Sequence, residues 1–187
     1  AEAPAGRPRQ MPGPEPVPST RRRGGFHGNL GLGAGVADLA CDGCDDPSRT
    51  GFSGYLSLGG RVGDRSVVGV EGTGWASSET GTSSAVWSLT ATVTRYLSAN
   101  SGLFLGAGLG LVGYREDTEG TGADVSAKSV GFSGRLGYDI GTGRFVVVPY
   151  VGFVRTFAGA DFKSDGEDIG FNAAVGNLQF GLSAGIR

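Results

Sequence analysis

Cys41 and Cys44 are the only cysteines of this 187-residue chain, and their spacing could support metal or redox chemistry. The motif Cys41-Asp42-Gly43-Cys44 has the spacing of half a zinc ribbon, but no second cysteine pair completes the four ligands. A c-type haem site requires a histidine directly after the second cysteine, and Asp45 stands there instead. A thioredoxin-like motif requires a surrounding βαβ pattern, which this sequence lacks. We therefore predict a disulfide between Cys41 and Cys44 in a loop of an exported protein.

His27 is the only histidine, and no serine or cysteine nucleophile pattern accompanies it. Covalent catalysis needs a nucleophile and a base within hydrogen-bond reach of each other. The sequence therefore predicts no catalytic residue, no enzyme activity and no cofactor.

The elements that must position any functional side chain are strands with one glycine-rich face. From Leu103 to Gly113 the odd positions are apolar, and the even positions are largely glycine. A period of two is the strand period, and a helix would lose about 1 kcal/mol for each of these glycines. The stretch is therefore predicted to be a strand.

The same alternation recurs in eight segments after Gly25. The segments are 26–37, 51–62, 66–75, 85–97, 103–113, 128–140, 145–157 and 173–187. Connections after the second, fourth and sixth segments are short, and those after the first, third, fifth and seventh are predicted to be long. This is the plan of an up-and-down outer-membrane barrel.

Pro149 interrupts the seventh segment, which is apolar on both faces. A proline inside a closed sheet predicts a bulge, so the sequence does not determine which residues of this strand face the lumen.

The direction of the apolar face separates a transmembrane barrel from a soluble one. A water-facing strand surface would carry many Lys and Glu residues, whereas the polar faces here carry mainly Gly, Ser and Thr, and the chain has only Lys128 and Lys163. No apolar run is long enough for a transmembrane helix. We predict an all-β, eight-stranded, antiparallel up-and-down transmembrane β-barrel over residues 26–187. Its lumen is just wide enough for side chains, and Gly106, Gly108 and Gly110 are expected to make room for larger side chains of facing strands.

Glu71 and Arg135 both fall near mid-strand on the predicted lumen phase. A lone buried charge is very costly, so each should have a partner, and by depth these two could meet. Arg61, Asp139 and Tyr55 could extend the network toward one end of the barrel. The interpretation is a structural ionic plug, and the alternative is the gate of a narrow solute path.

The acidic residues are concentrated in the four connections predicted to be long. Thirteen of the eighteen acids fall there: Asp38, Asp42, Asp45, Asp46, Glu79, Glu116, Asp117, Glu119, Asp124, Asp161, Asp165, Glu167 and Asp168. An acidic rim could recruit Ca²⁺ or Mg²⁺, bridge lipopolysaccharide phosphates through these ions, or bind a basic partner. Weak divalent-cation contacts are predicted at Asp42, Asp45, Asp46, Asp165, Glu167 and Asp168, although no loop has EF-hand spacing. Simple solvation of the loops is the alternative.

Residues 1–25 differ from the rest of the chain in composition. They hold six of the eight prolines and the run Arg21-Arg22-Arg23, which predicts an extended, disordered tail. Beside a membrane, these arginines could hold anionic lipid headgroups at about 1 kcal/mol each; the alternative is a solvated linker. The start at Ala1 is typical of a mature protein whose signal peptide has been removed.

The final segment, Leu178 to Arg187, alternates apolar and small polar residues. In this stretch and in its barrel plan, the sequence over 26–187 resembles the small OmpA/OmpX-type outer-membrane β-barrel family. The stretch looks like that family's C-terminal assembly signal, except that Arg187 stands where the family has an aromatic residue. The resemblance implies a bacterial outer-membrane location with a periplasmic tail. It also implies outer-membrane lipids, lipopolysaccharide and the barrel-assembly machinery as partners, and no nucleic acid.

These patterns favour a non-enzymatic surface protein that supports envelope integrity or adhesion through acidic extracellular loops. One alternative is a narrow pore or transporter for small solutes or ions, gated by Glu71 and Arg135. The other is a soluble, lipocalin-like, ligand-binding barrel.

Overall fold

A computed structural model describes residues 25–40, 48–79, 81–98, 101–118, 124–141, 143–157, 159–164 and 167–187. The strands are β1 (Phe26–Ala40), β2 (Arg49–Val62), β3 (Ser66–Glu79), β4 (Thr82–Tyr96), β5 (Leu103–Thr118), β6 (Asp124–Tyr138), β7 (Phe145–Thr156), β8 (Ala160–Ser164) and β9 (Glu167–Ile186). Within these ranges, no helix is long and apolar enough to cross a membrane.

The strands close into one antiparallel barrel. Neighbours along the chain pair from β1 to β7, and β1 also pairs with β9. Both β7 and β8 lie between β6 and β9, so together they fill one position in the wall, and the barrel has eight strands. The predicted fold is confirmed. We call the end with connections 63–65, 97–102 and 139–144 the turn end, and the opposite end the mouth.

The outside of the barrel is apolar. Leu109 is 59% exposed, and large apolar side chains are exposed on every strand from β1 to β7 and on β9; they include Leu30, Leu56, Val70, Leu89, Leu105, Val130, Val151 and Phe180. A soluble monomer rarely exposes so wide an apolar surface, whereas a transmembrane barrel requires it. Within the described residues every strand pairs with a neighbour on each side, which removes the sheet edges that lipid would not tolerate. The exterior is therefore that of a transmembrane β-barrel and not of a soluble lipocalin-like one.

Side chains fill the lumen in three layers. The mouth layer is apolar, with Ala37, Trp75, Val86, Val112, Tyr114, Ala127, Val154, Ala160, Phe162, Ala173 and Val175. The turn-end layer is also apolar, with Val67, Tyr96, Phe104, Val146 and Val148. The middle layer is polar and contains Ser53, Tyr55, Glu71, Thr73, Ser88, Thr90, Ser133, Arg135, Tyr150, Gln179 and Ser183, all buried.

The glycines of β5 make room mainly for adjacent strands. A Cβ at Gly110 would clash with the backbone carbonyl oxygen of Leu89 on β4. A Cβ at Gly108 would lie 2.6 Å from Ser133 Oγ and 2.8 Å from Thr92 Cγ2, which belong to the two neighbouring strands. At Gly108 and Gly110 the expectation that these glycines accommodate facing strands is therefore wrong, because the constraint comes from the adjacent strands of the wall. A Cβ at Gly106 would make only ordinary contacts, with Thr94 Oγ1 at 3.4 Å and Arg135 Cβ at 3.8 Å.

The strands extend farther toward the mouth than predicted. β3 ends at Glu79 and β4 begins at Thr82, and β8 ends at Ser164 and β9 begins at Glu167, so long loops are wrong at these two places. Of the acids assigned to loops, the following lie on strands: Asp38, Glu79, Glu116, Asp117, Asp124, Asp161, Glu167 and Asp168. Cross-strand pairing continues past the apolar band. The residues there are mostly polar on both faces, so the sequence had no alternation of apolar and polar residues from which to predict a strand.

Pro149 produces no bulge. β7 pairs with β9 in continuous register through Pro149 and Leu182. Pairing with β6 keeps one register from Gly137–Tyr150 to Ile140–Val147. Because Ile140 and Val147 exchange both backbone hydrogen bonds, Tyr138 and Pro149 occupy the next hydrogen-bonding position, where proline has no N–H to donate. The ladder is interrupted without an inserted residue, and Val146, Val148, Tyr150 and Val154 face the lumen.

Candidate functional site

The central feature of the lumen is an ion pair between Arg135 and Glu71. Arg135 Nη2 contacts Glu71 Oε2, and both side chains are about 95% buried, with exposures of 6% and 5%. Arg135 comes from β6 and Glu71 from β3, which are separated in the wall by β4 and β5. The pair therefore crosses the lumen, and each charge supplies the partner that burial requires of the other.

Two tyrosines surround this pair on the β2 and β7 side. The Arg135 guanidinium carbon lies 4.1 Å from the centroid of the Tyr55 ring, in a cation–π arrangement. The Tyr55 hydroxyl donates to Ser183 Oγ at 2.8 Å, and the Tyr55 and Tyr150 rings meet edge-on at 4.7 Å. These contacts hold Arg135 in place across the lumen.

A second buried ion pair closes the turn end. Arg187 pairs with Asp139, with side-chain exposures of 4% and 2%, and its guanidinium lies 5.2 Å from the Tyr96 ring centroid. Arg61 lies at the β2–β3 turn, where it donates to the carbonyls of Gly63 at 2.8 Å and Asp64 at 2.6 Å. Of the network proposed from the sequence, the structure therefore brings Tyr55 to the central pair and places Asp139 and Arg61 at the turn end, where Arg61 lines the same small cavity as Arg187.

His27 is also buried at the turn end. Its Nε2 lies 2.8 Å from Asn29 Nδ2. Tyr96 and Arg187 line the small cavity beside it. Arg61 and Ser66 line the same cavity.

A third polar cluster, formed by Arg49, Ser84, Tyr114 and Glu116, lies at the mouth. The exposed Arg115 marks the end of the apolar band on β5, and Glu116 lies beyond it. Glu116 accepts hydrogen bonds from Arg49 and Ser84 at 2.9 Å each and from the Tyr114 hydroxyl at 2.5 Å. Burial raises the pKa of the Glu116 carboxyl, but hydrogen bonds from Tyr114 and Ser84 and the Arg49 charge together lower it below its ordinary value.

The predicted disulfide and most of the predicted cation contacts lie outside the described residues. This applies to Cys41, Cys44, Asp42, Asp45, Asp46 and Asp165. Glu167 begins β9 and is exposed, and Asp168 follows it on the same strand. In the part of the chain that the structure describes, no group of three His, Cys, Asp or Glu side chains could hold a metal ion.

The sequence did not predict that Arg187 and Arg49 form buried or half-buried ion pairs. Arg187 could have been found, because Asp139 was predicted to face the lumen and therefore needed a cation at a similar depth. Arg49 precedes the predicted start of its strand, so no phase was assigned to it.

Comparisons with solved structures agree with this architecture. Neisserial surface protein A, NspA, superposes with a TM-score of 0.59 at 17% identity, over 87% of this chain and 97% of NspA. The chain has the fold of the small outer-membrane β-barrels. Ail, the attachment invasion locus protein of Yersinia pestis, gives a TM-score of 0.53 at 13% identity, over 87% and 99% of the two chains. OprG, an outer membrane protein from Pseudomonas aeruginosa, gives 0.50 at 13% identity, over 90% and 100%.

The sequence itself has no match among protein-family models, and a search of curated proteins finds none. The likeness to NspA, Ail and OprG therefore rests on the fold. It confirms the architecture predicted from alternation, including the resemblance to small OmpA/OmpX-type barrels.

Proposed function

We propose that the protein is a non-enzymatic outer-membrane barrel with a closed lumen, and that it binds its partners through residues at the mouth. The observation that carries this proposal is the Arg135–Glu71 pair across the lumen, between two packed apolar layers. A barrel closed in this way offers its exposed ends, not its interior, for interaction.

The packing of the lumen supports a plug over a pore. A cavity in the mouth layer, lined by Ala37, Trp75 and Tyr114, holds about 30 Å³, and another at the turn end, lined by Val67 and Tyr96, holds about 10 Å³. One water needs at least ~10–15 Å³, so these spaces are of the size of one or two waters and too small for a hydrated ion.

The location we propose is the bacterial outer membrane, with the turn end and the tail 1–25 in the periplasm. The longest connection, residues 41–48 between β1 and β2, lies at the mouth, and in such barrels the longer connections are extracellular. β1 starts at the opposite end, so the tail would leave on the periplasmic side. Outer-membrane lipids, lipopolysaccharide and the barrel-assembly machinery follow as partners in this setting.

The surface we propose for extracellular contacts is the mouth. Asp38, Glu79, Asp117, Asp161 and Glu167 lie on strand ends there, and a basic partner or divalent ions bridging lipopolysaccharide phosphates fit this charge. Adhesion is the more specific form of the proposal, and Ail, named for attachment and invasion, has a comparable fold.

Conductance in planar bilayers tests the closed lumen. We expect no discrete conductance from the parent protein or from Glu71→Gln. A stepwise conductance in the parent that Glu71→Gln alters would support the pore instead.

Surface binding is tested at the mouth by replacing Glu79, Asp117 and Glu167 together with Gln and Asn. We expect reduced adhesion of cells that display the barrel, or increased envelope permeability. The control replaces Asp64, an exposed acid at the turn end, with Asn. Unchanged adhesion and permeability in the triple variant would contradict a function at the mouth.

A further inference from the structure

An apolar groove runs along the outer wall of the barrel between β6, β7 and β9. It has a volume of about 490 Å³ and is lined by Leu136, Tyr138, Pro149, Val151, Phe180 and Leu182. Apart from Pro149, these side chains are between 45% and 61% exposed, so the groove opens to the exterior and not to the lumen.

The groove coincides with the interrupted β6–β7 ladder. Pro149 has a compact ring on the outward phase and cannot donate to Tyr138 across the ladder. The larger residues Val151 and Leu182 flank it, so the wall is indented beside the proline. A groove of this chemistry in a membrane-facing wall suits a hydrocarbon chain.

A cationic site lies at the turn end of the same wall. Arg144 is exposed at the β6–β7 turn and lines a separate cavity of about 260 Å³ together with Gly25, Phe26, Ile186 and Arg187. Arg187 directs its guanidinium to Asp139, which leaves Arg144 as the exposed cation lining this cavity. Around the turn end, the described residues include five arginines (Arg61, Arg65, Arg95, Arg144 and Arg187) against Asp64 and Asp139. The potential there is positive and favours an anion.

We propose that this wall binds one anionic phospholipid, with its phosphate at Arg144 and an acyl chain in the groove at Pro149. Five residues separate the two, which is about 16 Å along a strand at ~3.3 Å per residue. With a strand tilt of ~40°, the groove lies about 12 Å deep, within the ~15 Å of one leaflet's hydrocarbon. The inference rests on the membrane location proposed above and adds a ligand class and a position.

Native mass spectrometry of the detergent-purified full chain tests the site. The barrel is incubated with phosphatidylglycerol or with phosphatidylethanolamine, and the retained fraction of each lipid is measured. We expect phosphatidylglycerol to be retained preferentially, and Arg144→Gln to lower its affinity about fivefold, the factor that corresponds to about 1 kcal/mol per arginine. Arg65→Gln, at another turn-end position, is the matched control and should retain the lipid like the parent.

The groove has its own variant pair. Val151→Trp fills the groove from its flank and should reduce retention, whereas Val70→Trp makes the same change on a different wall and should not. Millimolar inorganic phosphate should displace little lipid, because it lacks the chain. Equal losses in Arg144→Gln and Arg65→Gln, no effect of Val151→Trp, or displacement by phosphate alone would each overturn the site.

Heat-modifiable migration of every variant in detergent gels separates these outcomes from a failure of folding. A parent that stays dissolved and monomeric without detergent would overturn the proposed membrane location itself. A heat-modifiable parent with no preference for phosphatidylglycerol would overturn only the lipid site.

Discussion

Arg135 on β6 forms its ion pair with Glu71 on β3, although two further strands separate them in the barrel wall. The contact therefore forms only because the barrel closes, which brings β3 and β6 to opposite sides of one lumen, and it does not come from pairing of adjacent strands. Both charges are withdrawn from water, and the pair is tolerated because each neutralises the other.

Removing one partner should therefore destabilise the barrel strongly. We expect Glu71→Gln to lower the free energy of unfolding by about 3–5 kcal/mol, because Arg135 keeps a buried charge without its carboxylate. Urea unfolding of the barrel in detergent or vesicles measures this loss. The double variant Glu71→Gln, Arg135→Met should recover most of the stability. Equal losses in the single and double variants would contradict a plug held by charge pairing.

The outward-facing surface of the barrel is tested by a charge at two depths, one on β5 and one in the β4–β5 connection. Leu109→Arg, near mid-strand, should cost about 2–4 kcal/mol, and Leu97→Arg, near the turn end, about 0–1 kcal/mol, because the cost of a charge falls toward the interface. Folding into vesicles, followed by urea titration, gives both values. Equal losses of unfolding free energy at the two positions would contradict the conclusion that these side chains face lipid.

Close packing within the wall predicts different costs for two glycine substitutions. Gly110→Ala should destabilise by about 1–3 kcal/mol, since its Cβ would clash with the Leu89 carbonyl oxygen and the backbone must shift. Gly74→Ala is the matched control, because a Cβ there meets nothing within 4 Å. The difference between their urea midpoints is the measurement, and a Gly110→Ala variant as stable as Gly74→Ala would refute the packing argument.

The mouth cluster predicts a pH-dependent contribution from Glu116. Its pKa in the folded protein lies below the ordinary value of 4.5, so its ionised form stabilises the fold above that pH. This stability is lost as the pH falls from about 4.5 through the lowered folded-state pKa. The difference in unfolding free energy between the parent and Glu116→Gln should therefore be largest at neutral pH and shrink in acid. Glu79→Gln, at an exposed position of the mouth, serves as control, and a gap that stays constant with pH would contradict the predicted role of Glu116.

The sequence by itself determined the fold and the two faces of the wall. Alternation with a period of two is local, so Leu105, Leu109 and Leu111 share one face whatever the other strands do. The charge-poor polar faces then indicated the lumen, and depth along each strand placed Glu71 and Arg135 at a common level. These features depend on single strands and on the narrow lumen of an eight-stranded barrel.

Only the tertiary structure decided which side chains meet across the lumen and how far the strands extend. The contacts of Arg187 with Asp139 and of Arg49 with Glu116 depend on registers accumulated over several strand pairs, which no single strand encodes. The effect of Pro149 likewise depended on the hydrogen-bonding position it occupies opposite Tyr138, a property of the pair. Cross-strand pairing at the mouth continues without an apolar pattern, so the sequence signal ended there before the strands did.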